Sequence, residues 1–411
     1  MKKLLSIIFL AEILFSANAQ ETVLTLNDAI KQALERSPSI QAATLETERQ
    51  KALKQTAFEI PKTDVSLMYG QYNSIQKADN NLTIVQSIPF PTTFGTQKEL
   101  NKAQVESALM RERVSKNELA FQVKLVFNQL LYLKLRRGSL LQQDSLLGDL
   151  LRIANVQYKT GEGTLLARTT AETQWSEIQN INARNEADIR IALNHLQLLC
   201  QSSPITDVQG SLDDFIPASE IDSLAFQDNP SLAYTHQQVE IAHWQRKVET
   251  ARALPDLRVG YFNQTLIGMQ NVNGQDQYFS ASKRFQGFQV GIQIPLWFAP
   301  HTARIKAATF AKEVAQKQNE AFALTLAQQY GQAVQEAIKN RNSLAYYTGS
   351  ALGTAALLIN QSRVAFKNGE VDHTALLLNL RQALTIREGY MTAMLQYNQS
   401  RIIIDYLNGK M

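Results

Sequence analysis

The 411-residue chain is poor in several things. It has one cysteine, Cys200, so no internal disulfide framework staples it. Charged residues make up 19% of it, against about 25% in an ordinary soluble domain. Its prolines fall only at positions 38, 61, 89, 91, 204, 217, 230, 255, 295 and 300. Thr92–Ser203 and His301–Met411 contain none. Proline inside a helix costs roughly 3 kcal/mol, so such runs permit very long helices. Apolar runs of about 20 residues, which a polytopic helical membrane protein repeats, are missing after residue 16. A hydrophobic content of 45% argues against a disordered chain.

The first residues read as an address. Lys2 and Lys3 precede an apolar run, Leu4–Phe15, and Ala17-Asn18-Ala19 forms a small-x-small cleavage site before Gln20. This pattern predicts a secretory signal peptide over 1–19 and an exported protein. Gln20, not a cysteine, follows the cut, so no lipid anchor is expected there. The rest of the chain carries 39 basic and 36 acidic residues. That is too near neutral to argue for nucleic acid as a partner.

What is present is written twice. Ser37-Pro38-Ser39-Ile40 opens a helical pattern that closes at Ile60-Pro61, and Asn229-Pro230-Ser231-Leu232 opens one that closes at Leu254-Pro255. Proline is tolerated at a helix start or just past its end. Two alternating segments follow in each half, at about 63–72 and 82–90, then at about 256–266 and 286–296, with a polar loop inside each pair. They close on Ile88-Pro89-Phe90 and Ile294-Pro295-Leu296. A proline-free helical pattern comes next, broken once in each half at a glycine turn, about 158–164 and 366–373. The order helix, strand, strand, long helix, turn, long helix therefore recurs. The predicted organisation is a first repeat over 20–200, a connector over 201–228 and a second repeat over 229–411.

The strand segments are close to the 9–11 residues of a membrane β-strand. In Phe288–Ile294 one face is Phe, Val, Ile, Ile and the other Gln, Gly, Gln, which suits lipid outside and water inside. Aromatics gather near the strand ends, at Tyr69, Tyr72, Phe90, Phe94, Tyr261, Phe262, Trp297 and Phe298. Two soluble hairpins with one buried face would show the same alternation. Four strands cannot close a membrane barrel, and open edges are not tolerated in lipid, so the membrane alternative demands several copies of the chain.

The helical stretches are long. Phe94–Tyr158 would span on the order of 95 Å at ~1.5 Å per residue. Leu119, Val123, Val126, Leu130 and Leu133 recur at three- and four-residue steps, as in a coiled-coil seam. An inert coiled-coil spacer would show the same pattern. Gly138, Gly148, Gly331, Gly349 and Gly353 are expected to bend or break these helices.

Together these residues resemble the TolC-type outer-membrane efflux protein family. The opening Leu24-Thr25-Leu26-Asn27-Asp28-Ala29-Ile30, with Ala33-Leu34 and Ser37–Ile40, is similar to that family's N-terminal signature. The Tyr158–Gly161 and Phe366–Gly369 turns resemble its hairpin tips. The resemblance implies a mainly α fold with a small β part: a homotrimer whose chains each give four strands to a 12-stranded barrel in outer-membrane lipid, above an α-helical periplasmic tunnel. It also implies a passive exit duct docked to a periplasmic adaptor protein and an inner-membrane efflux transporter. Tyr158, Gly161, Leu165, Phe366 and Gly369 would form the adaptor contact. In some members the helix after the second tip carries a ring of acids. Here it begins Ala375-Leu376-Leu377-Leu378, and the nearest acids are Glu370 and Asp372. Glu370, Asp372 and Leu376 are the gate candidates, with closure that is apolar or lies elsewhere.

No P-loop, GxSxG elbow, HExxH or paired-cysteine motif appears, so neither enzyme activity nor a cofactor is expected. His236, Glu240 and His243 lie at i, i+4 and i+7 on one helix face, a weak candidate for a metal site in a periplasmic binding protein. Cys200 reads as a small buried residue, and His373 as an incidental surface group at the second tip rather than one that tunes adaptor docking with pH. The rival to the duct is an exported coiled-coil structural or adhesion protein.

Overall fold

A computed structural model describes residues 22–202, 205–215 and 225–410. The predicted leader, Pro204 and Pro217 lie outside these residues. The chain begins with β1 (Thr22–Leu24), α1 (Leu26–Arg36) and α2 (Pro38–Leu53). β2 (Asp64–Tyr69), β3 (Asn80–Ile88) and the hairpin of α3 (Pro91–Thr160) and α4 (Leu165–Cys200) complete the first repeat. β4 (Ile205–Val208) leads to the second, which opens with α5 (Pro230–Ala251) and β5 (Asp256–Gln264). A short hairpin, β6 (Gly268–Val272) and β7 (Gln275–Phe279), precedes β8 (Phe285–Gln293). Then come α6 (Phe298–Tyr346), a π-helical turn (Tyr347–Ala351), α7 (Leu352–Lys367) and α8 (His373–Leu407). The repeated order is thus present. Pro38, Pro91 and Pro230 each occupy the first helical position, where a missing N–H costs nothing.

α3 has 70 residues, and α6, the π turn and α7 have 49, 5 and 16, the same total. Gly138, Gly148 and Gly331 do not break these helices. At Gly148 the missing Cβ leaves room for Trp175, whose Nε1 lies 3.3 Å from where that atom would sit. Gly349 does mark an irregularity, inside the π turn. That turn lays Tyr347 on Gly389 of α8, where a Cβ would collide with its hydroxyl.

The chain forms two compact units, each drawing on both repeats. Of the described residues, one comprises 22–41, 115–202, 205–215, 225–229 and 326–410. Its core joins Leu119, Val123, Phe127 and Leu130 of α3 to Ile189, Ala192 and Leu196 of α4, with Ala29 and Ala33 of α1 above them. Cys200 is fully buried there, its thiol donating to the Ala29 carbonyl at 3.5 Å, and burial pushes its pKa up to about 11. Buried asparagines pin the helices in register. Asn117 donates to the Tyr406 carbonyl, Asn185 to Leu133, Asn340 to Gln396 and Asn398 to Leu212. An apolar seam alone can slide by a turn; a buried amide that must find its carbonyl cannot.

Four helices of this unit end alike. α3, α7 and α8 close on left-handed Gly161, Gly369 and Gly409, but α4 closes on Gln201, at φ 48°. A side chain in this conformation costs about 1–2 kcal/mol. Gln201→Gly is expected to stabilise the folded chain by about 1 kcal/mol after the extra entropy of glycine is counted. A lower guanidinium midpoint for the variant would refute this.

The other unit, Ala42–Val114 and Pro230–Thr325, carries the main sheet in the order β2-β3-β5-β8, antiparallel throughout. The register gathers most of the large apolar side chains on one face, with Gln86, Asn263 and Gln286 among them. Val65 and Leu67 of β2, Leu82 and Ile84 of β3, Leu257, Val259 and Tyr261 of β5, and Phe288, Val290 and Ile292 of β8 share one face. Phe288, Val290 and Ile292 are 82%, 80% and 65% exposed. The opposite face is mostly polar or glycine, with Ser66, Asn81, Thr83, Ser87, Arg258 and Gln289, but it also carries Met68, buried Val85 and Phe285, and Phe262 lies over Gly287. Where a polar loop was expected between β5 and β8, the chain folds into the β6–β7 hairpin. Asn273 and Gly274 form its two-residue turn at φ 54° and 87°, the pair that suits a type I′ turn. Among the described residues, no helix is long and apolar enough to cross a membrane.

Candidate functional site at the hairpin turns

The two hairpin turns match residue for residue, Tyr158-Lys159-Thr160-Gly161-Glu162 against Phe366-Lys367-Asn368-Gly369-Glu370. Gly161 and Gly369 have φ 80° and 75°, the left-handed region that glycine adopts freely. Glu162 N–H donates to the Gln157 carbonyl at 2.9 Å and Gly161 N–H to Tyr158 at 3.3 Å. Glu370 N–H donates to Ala365 at 2.8 Å and Gly369 N–H to Phe366 at 3.1 Å. Both helices thus stop in the same six-to-one, five-to-two ending. The next helix starts alike in each hairpin. The Thr164 hydroxyl accepts from Ala167 N–H at 3.1 Å, and the Asp372 carboxylate from Ala375 N–H at 2.7 Å.

Both turns border one cleft of about 830 Å³, to which all four hairpin helices contribute. Beneath it Leu147 and Leu150 of α3 pack with Leu376, Leu377 and Leu380 of α8. The predicted contact residues separate here. Tyr158 is exposed with the Arg168 guanidinium over its ring at 5.6 Å, and Leu165 is 56% exposed. An added Cβ at Gly161 or Gly369 would meet no atom within 4 Å. Phe366 instead is half-buried against the leucine cluster. Of the gate candidates, Glu370 and Asp372 are exposed, and Asn368 donates to Glu370 at 3.2 Å. Leu376 is 1% exposed, in the leucine cluster that borders the cleft.

His373 corrects its expectation more sharply. It is buried, not on the surface, at 9% exposure, edge-on to Phe366 with ring centres 5.2 Å apart. Burial holds its pKa below the ordinary histidine value, against the pull of Asp372. His236, Glu240 and His243 do not assemble. Among the described residues, no three His, Cys, Asp or Glu side chains are grouped to hold a metal ion.

No family model matches the sequence, and no curated protein matches it. Solved structures do. CusC, described for its folding and transmembrane channel formation, matches at TM-score 0.77 and 14% identity, over 93% of this chain and 91% of that one. The outer membrane protein VceC from Vibrio cholerae matches at TM-score 0.77 and 13% identity, over 93% and 96%. The Campylobacter jejuni CmeC outer membrane channel matches at TM-score 0.75 and 12% identity, over 94% and 85%. The chain has the TolC-type fold. The likeness is one of helix and strand placement across nearly the whole chain. The resemblance first drawn from Leu24–Ile40 and the two glycine turns therefore holds at the level of the fold.

Within this TolC-type hairpin pair, sequence reasoning passed over Leu166, 77% exposed beside Leu165. The signal was Thr164. A threonine capping α4 puts Leu165 and Leu166 in the first turn, where no preceding turn covers them. The second turn has His373 and Thr374 at these positions, so the two turns present unequal surfaces.

Proposed function

We propose that this chain is the outer-membrane channel of an export system, a passive exit duct whose driving energy comes from an inner-membrane transporter. One observation carries this: the β2-β3-β5-β8 sheet has an apolar, exposed face and two edge strands, β2 and β8, whose outer sides pair with no strand among the described residues. Lipid tolerates the face but not the edges. β2 and β8 run antiparallel to each other, so β8 of one copy can continue into β2 of the next. Three copies give 12 strands, the barrel that the family resemblance implies. The polar face with Arg258 and Gln289 then lines water. Helices on the order of 100 Å, at ~1.5 Å per residue, suit a conduit across the periplasm. The leader-like residues 1–19 fit export.

The turns are the proposed docking end for a periplasmic adaptor. Tyr158, Leu165 and Leu166 offer the exposed apolar contact, and Gly161 and Gly369 permit close approach. Glu370 and Asp372 are the proposed charged rim of the entrance. Outer membranes extracted in mild detergent are expected to yield a heat-modifiable trimer that conducts ions in a planar bilayer. A soluble, monomeric, non-conducting periplasmic protein would favour the structural coiled-coil alternative instead.

A further inference from the structure

His373 is the first residue of α8, directly after its cap Asp372. Neither Nδ1 nor Nε2 has a hydrogen-bond partner, and both are buried. The ring lines the cleft between the turns. Each packed element contributes titratable groups to that cleft. α3 gives Asp149 and Arg152, which pair at 3.3 Å; the first turn gives Glu162; α7 gives Arg363 and Lys367; and Asp372 adjoins His373 itself. Three cations face three anions, so no net charge awaits an imidazolium. A helix N-terminus disfavours a cation, and an apolar contact with Phe366 cannot solvate one.

We propose that His373 is a proton-operated latch. Neutral, it packs the second turn onto the leucine cluster shared by α3 and α8. Protonated, it leaves for water and frees the turn, residues 368–372, with the first turn of α8. Burial lowers the histidine pKa in the latched state, while the released side chain titrates normally at about 6.5. The released state therefore binds the proton more readily. Latching is complete above about pH 6.5 and weakens as pH falls below it, by up to about tenfold per pH unit in each chain. The latch follows from packing alone; that it regulates docking or the entrance rests on the export function proposed above.

Hydrogen–deuterium exchange on the full mature protein in detergent tests it at pH 7.5, 6.0 and 5.0, with rates corrected for intrinsic pH dependence. Protection of amides 373–380 is expected to fall several-fold between pH 7.5 and 5.0, relative to 185–200 of α4. His373→Phe, which keeps an aromatic ring in the same apolar site, is expected to abolish the fall. Asp372→Asn keeps an equally good cap and is expected to retain it. An unchanged fall in His373→Phe, or no fall in the wild type, overturns the latch. Exchange is read whether or not the protein conducts. A pH-dependent latch in a non-conducting protein would uphold the latch and refute the channel.

Discussion

Val290→Lys empties the outer membrane of assembled protein, while Gln289→Lys leaves it in place. These neighbours in β8 point to opposite faces of the same sheet. Val290 is 80% exposed on the apolar face, opposite Val259. Gln289 lies on the polar face against Gly260, where the side chain fills space that a Cβ at 260 would need. If the apolar face meets lipid, a lysine near mid-membrane costs about 2–4 kcal/mol per chain. A three-chain barrel carries that cost three times, which is comparable to the whole stability of an ordinary domain. On the water side a lysine can extend into the lumen. The readout is the fraction of protein recovered as heat-modifiable oligomer from outer membranes. Equal recovery of both variants would mean that the apolar face does not lie in lipid, and the duct would lose its main support.

How much of this was legible in sequence depends on the length scale of the signal. Strands and long helices were visible because their periodicity repeats over many residues, as in Phe288–Ile294 or Leu119–Leu133. Proline sharpened the boundaries, since Pro38, Pro91 and Pro230 can sit at a helix start but not inside. Features set by a single side chain meeting a distant partner were invisible. Gly148 looked like a helix breaker because its role, admitting Trp175, involves a residue on another helix. That Leu376 packs with the leucines of α3 was equally out of reach, because nothing local in an apolar run tells which neighbour a leucine meets. His373 looked exposed because a turn usually is, yet the matching turn of the first hairpin closes over the same cleft. The β6–β7 hairpin is different. Its Asn273-Gly274 turn was a strong local signal and was overlooked inside a loop otherwise rich in polar residues.

The turns invite the second large effect. Gly161→Glu and Gly369→Glu together are expected to abolish export and to leave the folded, conducting oligomer intact. The left-handed backbone at φ 80° and 75° makes any side chain cost about 1–2 kcal/mol, but no atom lies within 4 Å of an added Cβ. The strain is local, and the leucine cluster beneath does not touch either position. What changes is the surface. In a trimer the pair adds six carboxylates to one end, beside Glu162 and Glu370 and next to the apolar patch of Leu165 and Leu166. A docked partner would have to desolvate them without a countercharge, which costs far more than the backbone strain. Gly161→Ala with Gly369→Ala separates the two contributions, because alanine carries the same backbone strain without the charge. That pair is expected to keep most of the export, measured as intracellular accumulation of a dye and of metal ions against a deletion strain. Full export by the glutamate pair would remove the turns from the docking site. Equal loss in the alanine pair would trace the effect to the helix endings rather than to the surface they present.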